Sequence, residues 1–270
     1  MTSRADAGGA PRLLWLPAAL AVALLVLPVV ALVVRADWAT LPADVTSPAA
    51  VRALGLSLST SLVATGLCLL FGAPLAVVLA RRSGWSADWL RALVTLPLVL
   101  PPTVGGIALL FLLGRRGVIG QTLDDWFGLT IPFTTAAVVI AQTFVAMPFL
   151  VLGLEGALRT AGTRYETVAA TLGAGRWTVL RRVTLPLAAP GLVSGLVLCF
   201  ARALGEFGAT ALFAGNTPGV TQTMPLAIYS AFNGAGVTQG TAVALSLLLV
   251  AAAIAVLLAA RAWRPTRALP

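Results

Sequence analysis

Arg202 and Glu206 stand four residues apart in the run FARALGEFGATALF, which is otherwise apolar. That spacing puts both side chains on one helix face, within reach of an ion pair. Unpaired charges at membrane depth cost about 2.5–3.5 kcal/mol each on the insertion scale. Two readings fit them: an ion pair that locks a helical bundle, or a pathway position where Arg202 meets an anion or the pair acts as a gate. Other reactive chemistry is thin. All 18 basic residues are arginine, and there is no Lys and no His. A P-loop lysine, a Schiff base, a Ser–His pair and a His-ligated metal are therefore excluded. Ser57, Ser59 and Ser61 share an apolar stretch with no base to activate them. Cys68 and Cys199 lie in separate apolar runs. They cannot form a CxxC metal site, and each reads as a small buried residue. No catalytic residue and no metal-ligand set emerges.

The elements that position these residues follow from hydropathy. Of 270 residues, 59% are apolar and 10% charged, and the mean hydropathy is +0.97. A soluble core of this size would leave far too much apolar surface in water, so the class is multi-span membrane protein. Six stretches are long enough to cross a bilayer, at residues 13–34, 54–80, 90–113, 131–154, 188–213 and 241–260. The first is too long for the apolar core of a signal peptide. The Arg35-Ala36-Asp37 that follows is no small-residue cleavage site, so it reads as a retained span.

The arginines report orientation. With the N-terminus inside, 13 fall on inside segments and 4 outside, with Arg202 within a span. That bias predicts cytoplasmic tails at residues 1–12 and 261–270 and an even number of spans. A pI near 11.5 would suit nucleic-acid binding, but the arginines sit at the ends of apolar runs and not in one patch, so no nucleic-acid partner is expected. Membrane lipid is.

The third span carries Pro97, Pro101 and Pro102, followed at once by Gly105 and Gly106. Each proline removes a donor and crowds the preceding turn. Such a break at membrane depth is tolerated where it is buried in protein or lines a cavity. An unwound segment along a pathway, with amides open to an oxyanion, and a merely kinked helix both fit.

The inside segment between spans four and five reads RYETVAATLGAGRWTVLRRVTLPLAAP. Thr163 can cap a helix starting at Arg164, with Glu166 placed for a capping box. Gly173 and Gly175 end that helix. A second short helix through Trp177–Val183 is expected to stop before Pro186. Ala169, Ala170 and Leu172 are small or apolar on a segment facing cytosol. They suit a helix seated in a partner protein, and an interfacial helix on lipid headgroups fits as well.

This segment resembles the EAA loop of ATP-binding-cassette (ABC) importer permeases: E-A-A, three residues, Gly, nine residues, then I-x-L-P. Gly173 is followed after nine residues by Val183, Thr184, Leu185 and Pro186. Counting back from Gly173 puts Ala169 at the second Ala, Val168 at the first and Thr167 at the Glu position, with Glu166 one residue earlier. The stretches RALGEFGAT, AGNTPGVTQTMPLAIY and TLPLVLPPTVGG are similar to the molybdate branch of the sulfate/molybdate importer permeases. The resemblance spans roughly residues 52–260.

The resemblance implies an all-α integral membrane protein with six transmembrane helices and type I ABC importer permease architecture. Residues 52–260 would be its permease domain. It implies a homodimer with the pathway on the two-fold axis, two ABC ATPase subunits, and a periplasmic or extracellular oxyanion-binding protein. The docking loop would comprise Glu166, Thr167, Ala169, Ala170, Gly173, Val183, Leu185 and Pro186. Candidate pathway or gating residues are Arg202, Glu206, Pro101, Pro102 and Gly105. The chain would be no enzyme and hold no cofactor, ATP and Mg being bound by the partner ATPase; the missing lysine agrees, since a Walker A motif needs one. The implied function is molybdate transport by alternating access across the bacterial inner membrane. Sulfate or tungstate import is the near alternative, and a proton-coupled secondary transporter the distant one. The latter would carry several intramembrane acids and repeats, whereas Glu206 alone lies well within a span and Glu155 sits at the end of span four. The outside loop, residues 214–240, is apolar in part and is expected to fold back onto the bundle.

Overall fold

The computed structural model describes residues 12–234 and 239–262, and every regular element among them is helical. The expected tails lie largely outside the described residues, at 1–11 and 263–270. A short turn at Arg12–Leu14 leads into α1 (Trp15–Arg35), a uniformly apolar helix with no buried residue whose main partner is the last helix of the chain. After α2 (Leu41–Thr46), Ser47 caps the next helix by accepting from the Ala50 amide at 3.2 Å. That helix, α3 (Pro48–Leu67), passes through a π turn at Cys68–Gly72 into α4 (Ala73–Arg81), making 34 continuous residues.

The third apolar stretch is not one rod. It forms α5 (Trp85–Val99) and α6 (Pro102–Leu113), bent by 112°. The cause is the consecutive prolines. Pro101 drives Leu100 out of the helical region (ψ 132°), and Pro102 does the same to Pro101 (ψ 135°). Pro97 stays inside α5. Of the two expectations, the unwound break is the one observed.

A small helix α7 (Gly120–Phe127) precedes α8 (Thr135–Ala161), which starts later than residue 131 because Phe133 has a positive φ of 62° and Thr134 caps at 3.3 Å to Ala137 N–H. The α8 helix is the centre of the bundle, packing on α3, α4, α5 and α6 and, most extensively, on a later helix. Next come α9 (Arg164–Thr171) and α10 (Arg176–Val179). A second π turn at Leu180–Thr184 then joins α10 to α11 (Leu185–Leu204) without interruption. The expected stop before Pro186 is therefore corrected. The wider π turn accommodates a proline that lacks a donor and crowds the carbonyl behind it.

The fifth stretch is displaced from its expected bounds of 188–213: the continuous helix runs over Arg176–Leu204, 29 residues. The helix ends at Leu204, and Gly205 to Phe207 leave the helical path before α12 (Gly208–Phe213). Finally α13 (Met224–Phe232) folds back on α3 and on α14 (Gln239–Ala262), tied by the Met224 amide donating to Ser57 Oγ at 2.6 Å.

The α8–α11 contact rests on glycine. A Cβ at Gly153 would lie 3.3 Å from Gly195 Cα, and one at Gly191 would overlap Ala157 Cβ. Small residues four apart on both helices let the backbones touch, the usual way membrane helices gain contact where lipid is as apolar as leucine.

Candidate functional site

The α9 helix ends in a closed cap. Gly173 has φ +85°, its amide donates to Ala170 O at 3.0 Å, and the Ala174 amide donates to Ala169 O at 3.0 Å. This is a Schellman motif, with the left-handed position that only glycine adopts without strain. The cap presents Tyr165, Val168 and Leu172 to solvent, Leu172 at 83% exposure, with Trp177 on the following helix also exposed. Ala169 is half-buried, and Thr167 and Ala170 are exposed. Val183 and Leu185 are half-buried and Pro186 exposed at the entry to α11. Beside α9 lies an open cleft of about 520 Å³, lined in part by Val77, Arg81, Thr167, Ala170 and Arg176.

Glu166 does not close a capping box. Thr163 makes no side-chain cap. The Glu166 carboxylate instead pairs with Arg81 and accepts from Thr184 Oγ1 at 2.7 Å. A cationic partner, Arg81, together with the Thr184 hydroxyl, outcompetes the neutral Thr163 amide for this carboxylate.

A second polar group holds the same end of the bundle. Glu155, at the foot of α8, accepts at Oε1 from Arg91 Nε at 2.7 Å and Arg159 Nε at 2.9 Å. Both guanidinium groups also donate through Nη2 to Leu79 O, at 3.1 and 3.2 Å, and to Arg82 O, at 3.3 and 3.4 Å. One buried carboxylate thus carries two cations onto the carbonyl end of α4, where helix C-termini favour positive charge. Sequence reading missed this group. Its signal was the i,i+4 pair Glu155–Arg159; Arg91 could not be joined to it without the fold.

Near the other end, the two helix breaks meet. A Cβ on Gly208 would lie 2.7 Å from Pro102 Cβ, and one on Gly106 would lie 2.8 Å from Ala209 O. The start of α6 therefore packs directly on the start of α12. Glu206, 1% exposed, accepts from the Ala209 amide at 2.8 Å through Oε1, and Arg202 Nη2 lies 2.6 Å from its Oε2. The carboxylate so caps a helix start and neutralises Arg202, whose side chain keeps 27% exposure. Gly105 turns instead toward Phe144, 3.1 Å from where its Cβ would be. Arg202, Glu206, Pro101 and Pro102 share this junction, and Gly105 flanks it. An apolar cavity of about 410 Å³ opens beside it, bordered by Gly205, Phe207, Pro225 and Tyr229. The sequence itself predicts close approach of another backbone at Gly205 and Gly208; Gly208 meets it at Pro102, whereas a Cβ at Gly205 would meet only Ala201 O, at 3.6 Å. Gly106 was not singled out as a contact position, because close approach between distant segments leaves no periodic trace.

Residues 72–265 match the family model described as binding-protein-dependent transport system inner membrane component. The chain is 54% identical over 256 residues to the molybdenum transport system permease protein ModB of Mycobacterium tuberculosis, covering 94% of this chain and 95% of the relative. It is 44% identical over 191 residues to the protein of the same name in Escherichia coli, 71% and 83% covered. Its fold is similar, at a TM-score of 0.64 and 20% identity, to a chain in the crystal structure of a bacterial alginate ABC transporter in complex with an alginate pentasaccharide-bound periplasmic protein, covering 91% and 92%.

Proposed function

This chain belongs to the family of binding-protein-dependent transport system inner membrane components, and we propose that it is the permease through which an ABC importer moves molybdate. The observation that carries the substrate is the 54% identity, over nearly the full length of both chains, to a relative named for molybdenum transport. The chain is a multi-pass inner membrane protein of the importer-permease fold.

Within that frame, both termini face the cytoplasm, as the arginine bias argues. The exposed apolar face of α9 docks into an ATPase subunit, and Trp177 borders the contact. Two copies of the chain form the pathway, two ATPases work on it, and a binding protein delivers the oxyanion from outside. ATP is bound by the partner, because a chain without lysine has no Walker A site. The junction of α6 and α12 is the natural place for the gate, since two helix breaks there give backbone segments that can move apart. Arg202, paired with Glu206 but 27% exposed, is the cation that turns from that carboxylate toward a dianion passing the junction.

Proteoliposomes holding the permease, its ATPase and its binding protein are expected to accumulate molybdate on ATP addition. An ATPase with an inactivated catalytic site should stop uptake. Uptake that persists and follows the proton gradient would overturn the ABC reading, and preference for sulfate or tungstate would reassign the substrate.

The docking assignment has its own test. Gly173→Trp imposes a left-handed backbone on a bulky residue, about 1–2 kcal/mol of strain, and covers the α9 face. The ATPase is expected to be lost on co-purification while the permease stays in the membrane. Gly173→Ala should weaken association less, because nothing lies within 4 Å of its Cβ position. Full retention of the ATPase by the tryptophan variant would remove α9 from the contact.

A further inference from the structure

The α9 helix is chained to the bundle through two glycine hinges. Gly162, with φ +65°, separates it from α8, and the turn at Gly173 to Gly175 separates it from α10. Its close packing is with α10 and the π turn that follows. A push on α9 would therefore rotate it about these hinges unless a side chain ties it to another helix. Glu166 makes that tie. Its Oε1 pairs with Arg81, the last residue of α4 and 85 positions away in sequence, and accepts from Thr184 in the π turn. The end of α4 is in turn gripped by Arg91 and Arg159 through Leu79 O and Arg82 O, and both arginines are fixed by Glu155.

We propose that the Arg81–Glu166–Thr184 contact is a transmission latch, which makes α9 and the end of α4 move as one body and carries the ATPase stroke into the second and fourth spans as well as the fifth. The proposal rests on α9 being the docking helix. Arg81 and Thr184 are positioning residues: they touch neither substrate nor nucleotide. The position of the acid suits this role. Glu166 precedes the position that the importer pattern gives to glutamate, which holds Thr167 here. One residue turns a helical side chain by about 100°, and Glu166 faces inward to α4.

The experiment uses the reconstituted importer and reads molybdate moved per ATP hydrolysed. Arg81→Gln and Thr184→Val are expected to retain the ATPase on co-purification while transport per ATP falls. For Arg81→Gln the fall should be about fivefold or more, the scale of an ordinary inter-site coupling. The reversal Arg81→Glu with Glu166→Arg should recover most of it, which a nonspecific packing defect would not allow. An unchanged ratio in Arg81→Gln, or a reversal no better than either single change, overturns the latch. Loss of the ATPase in Arg81→Gln also overturns it, since the contact would then serve docking. A second measurement needs no disabling variant. Spin labels at Thr171, an exposed α9 residue outside the apolar docking face, and at Arg82, placed in a Cys68→Ala, Cys199→Ala background, should keep one mutual distance with and without trapped ATP. A distance that changes between those states overturns the latch directly. The docking reading fails separately, through retention of the ATPase by Gly173→Trp.

Discussion

Gly191→Leu is expected to remove nearly all folded permease from the membrane. At this crossing α8 and α11 approach to backbone contact, and a methyl group on Gly191 already overlaps Ala157 Cβ. Ala157 is a rigid neighbour with no rotamer to move aside, so the helices must separate. The separation loosens the whole pairing, because a Cβ at Gly195 would lie 3.3 Å from Leu150 Cδ1 and one at Gly153 would lie 3.3 Å from Gly195 Cα, so the backbones are close along the whole crossing. Overpacking a well-filled core costs about 1–3 kcal/mol for a few added carbons. In a bundle held by van der Waals contact and not by water exclusion, that loss is uncompensated. Gly191→Ala should show the smaller effect, a lowered thermal midpoint in detergent. Pairing it with Ala157→Gly should restore most of the midpoint, since the next atoms, Ala157 Cα and Gly153 O, lie at 3.5 Å. The readout is the fraction surviving size-exclusion chromatography after heating. A Gly191→Leu protein as heat-stable as the native one would mean the two helices do not touch there.

Glu206→Ala should be nearly as damaging, for a different reason. Its carboxylate is fully buried, caps the Ala209 amide and lies 2.6 Å from Arg202. Removing it leaves a guanidinium at membrane depth without its partner and a helix start without its acceptor. Breaking one side of a buried pair costs about 3–5 kcal/mol, and a lost cap adds about 1 kcal/mol. Both transport and thermal midpoint should fall sharply. Arg202→Met separates the two roles of the pair. A stable protein that no longer transports places Arg202 on the anion's path, whereas a midpoint that falls in step with transport makes the pair a structural lock. If an Arg202→Ala, Glu206→Ala double variant matched the native protein in both assays, neither role would stand.

How much of this was legible in the sequence differs from residue to residue. The membrane class and helical fold were readable because bilayer hydrocarbon demands long apolar runs and satisfied backbone groups, and both are local properties. The resemblance to importer permeases was readable because Gly173 and Pro186 hold a fixed spacing, and that spacing reflects one rigid turn and one helix entry. Glu166 shows the limit. Its position in the chain suggested a cap three residues back, but its partner is Arg81, in another helix. The prolines show the same limit differently. Pro101 and Pro102 break their span while Pro97 and Pro186 do not, although each lacks the same donor. The difference lies in what surrounds them: consecutive prolines force successive residues extended, whereas a π turn absorbs Pro186.

The sequence by itself determined what is set by composition and short-range spacing: a helical membrane protein without lysine or histidine, an arginine bias for orientation, and a loop whose glycine-to-proline spacing resembles that of importer permeases. Tertiary structure decided everything that depends on two distant segments meeting. It brought the break at Pro102 against Gly208, placed Gly191 on Ala157, and joined Glu155 to Arg91 and Glu166 to Arg81. The physical reason is range. Hydropathy and helix punctuation act over one or two turns and leave a periodic trace. A glycine contact or an ion pair between helices fixes only one residue on each, and no pattern along the chain records which two will meet.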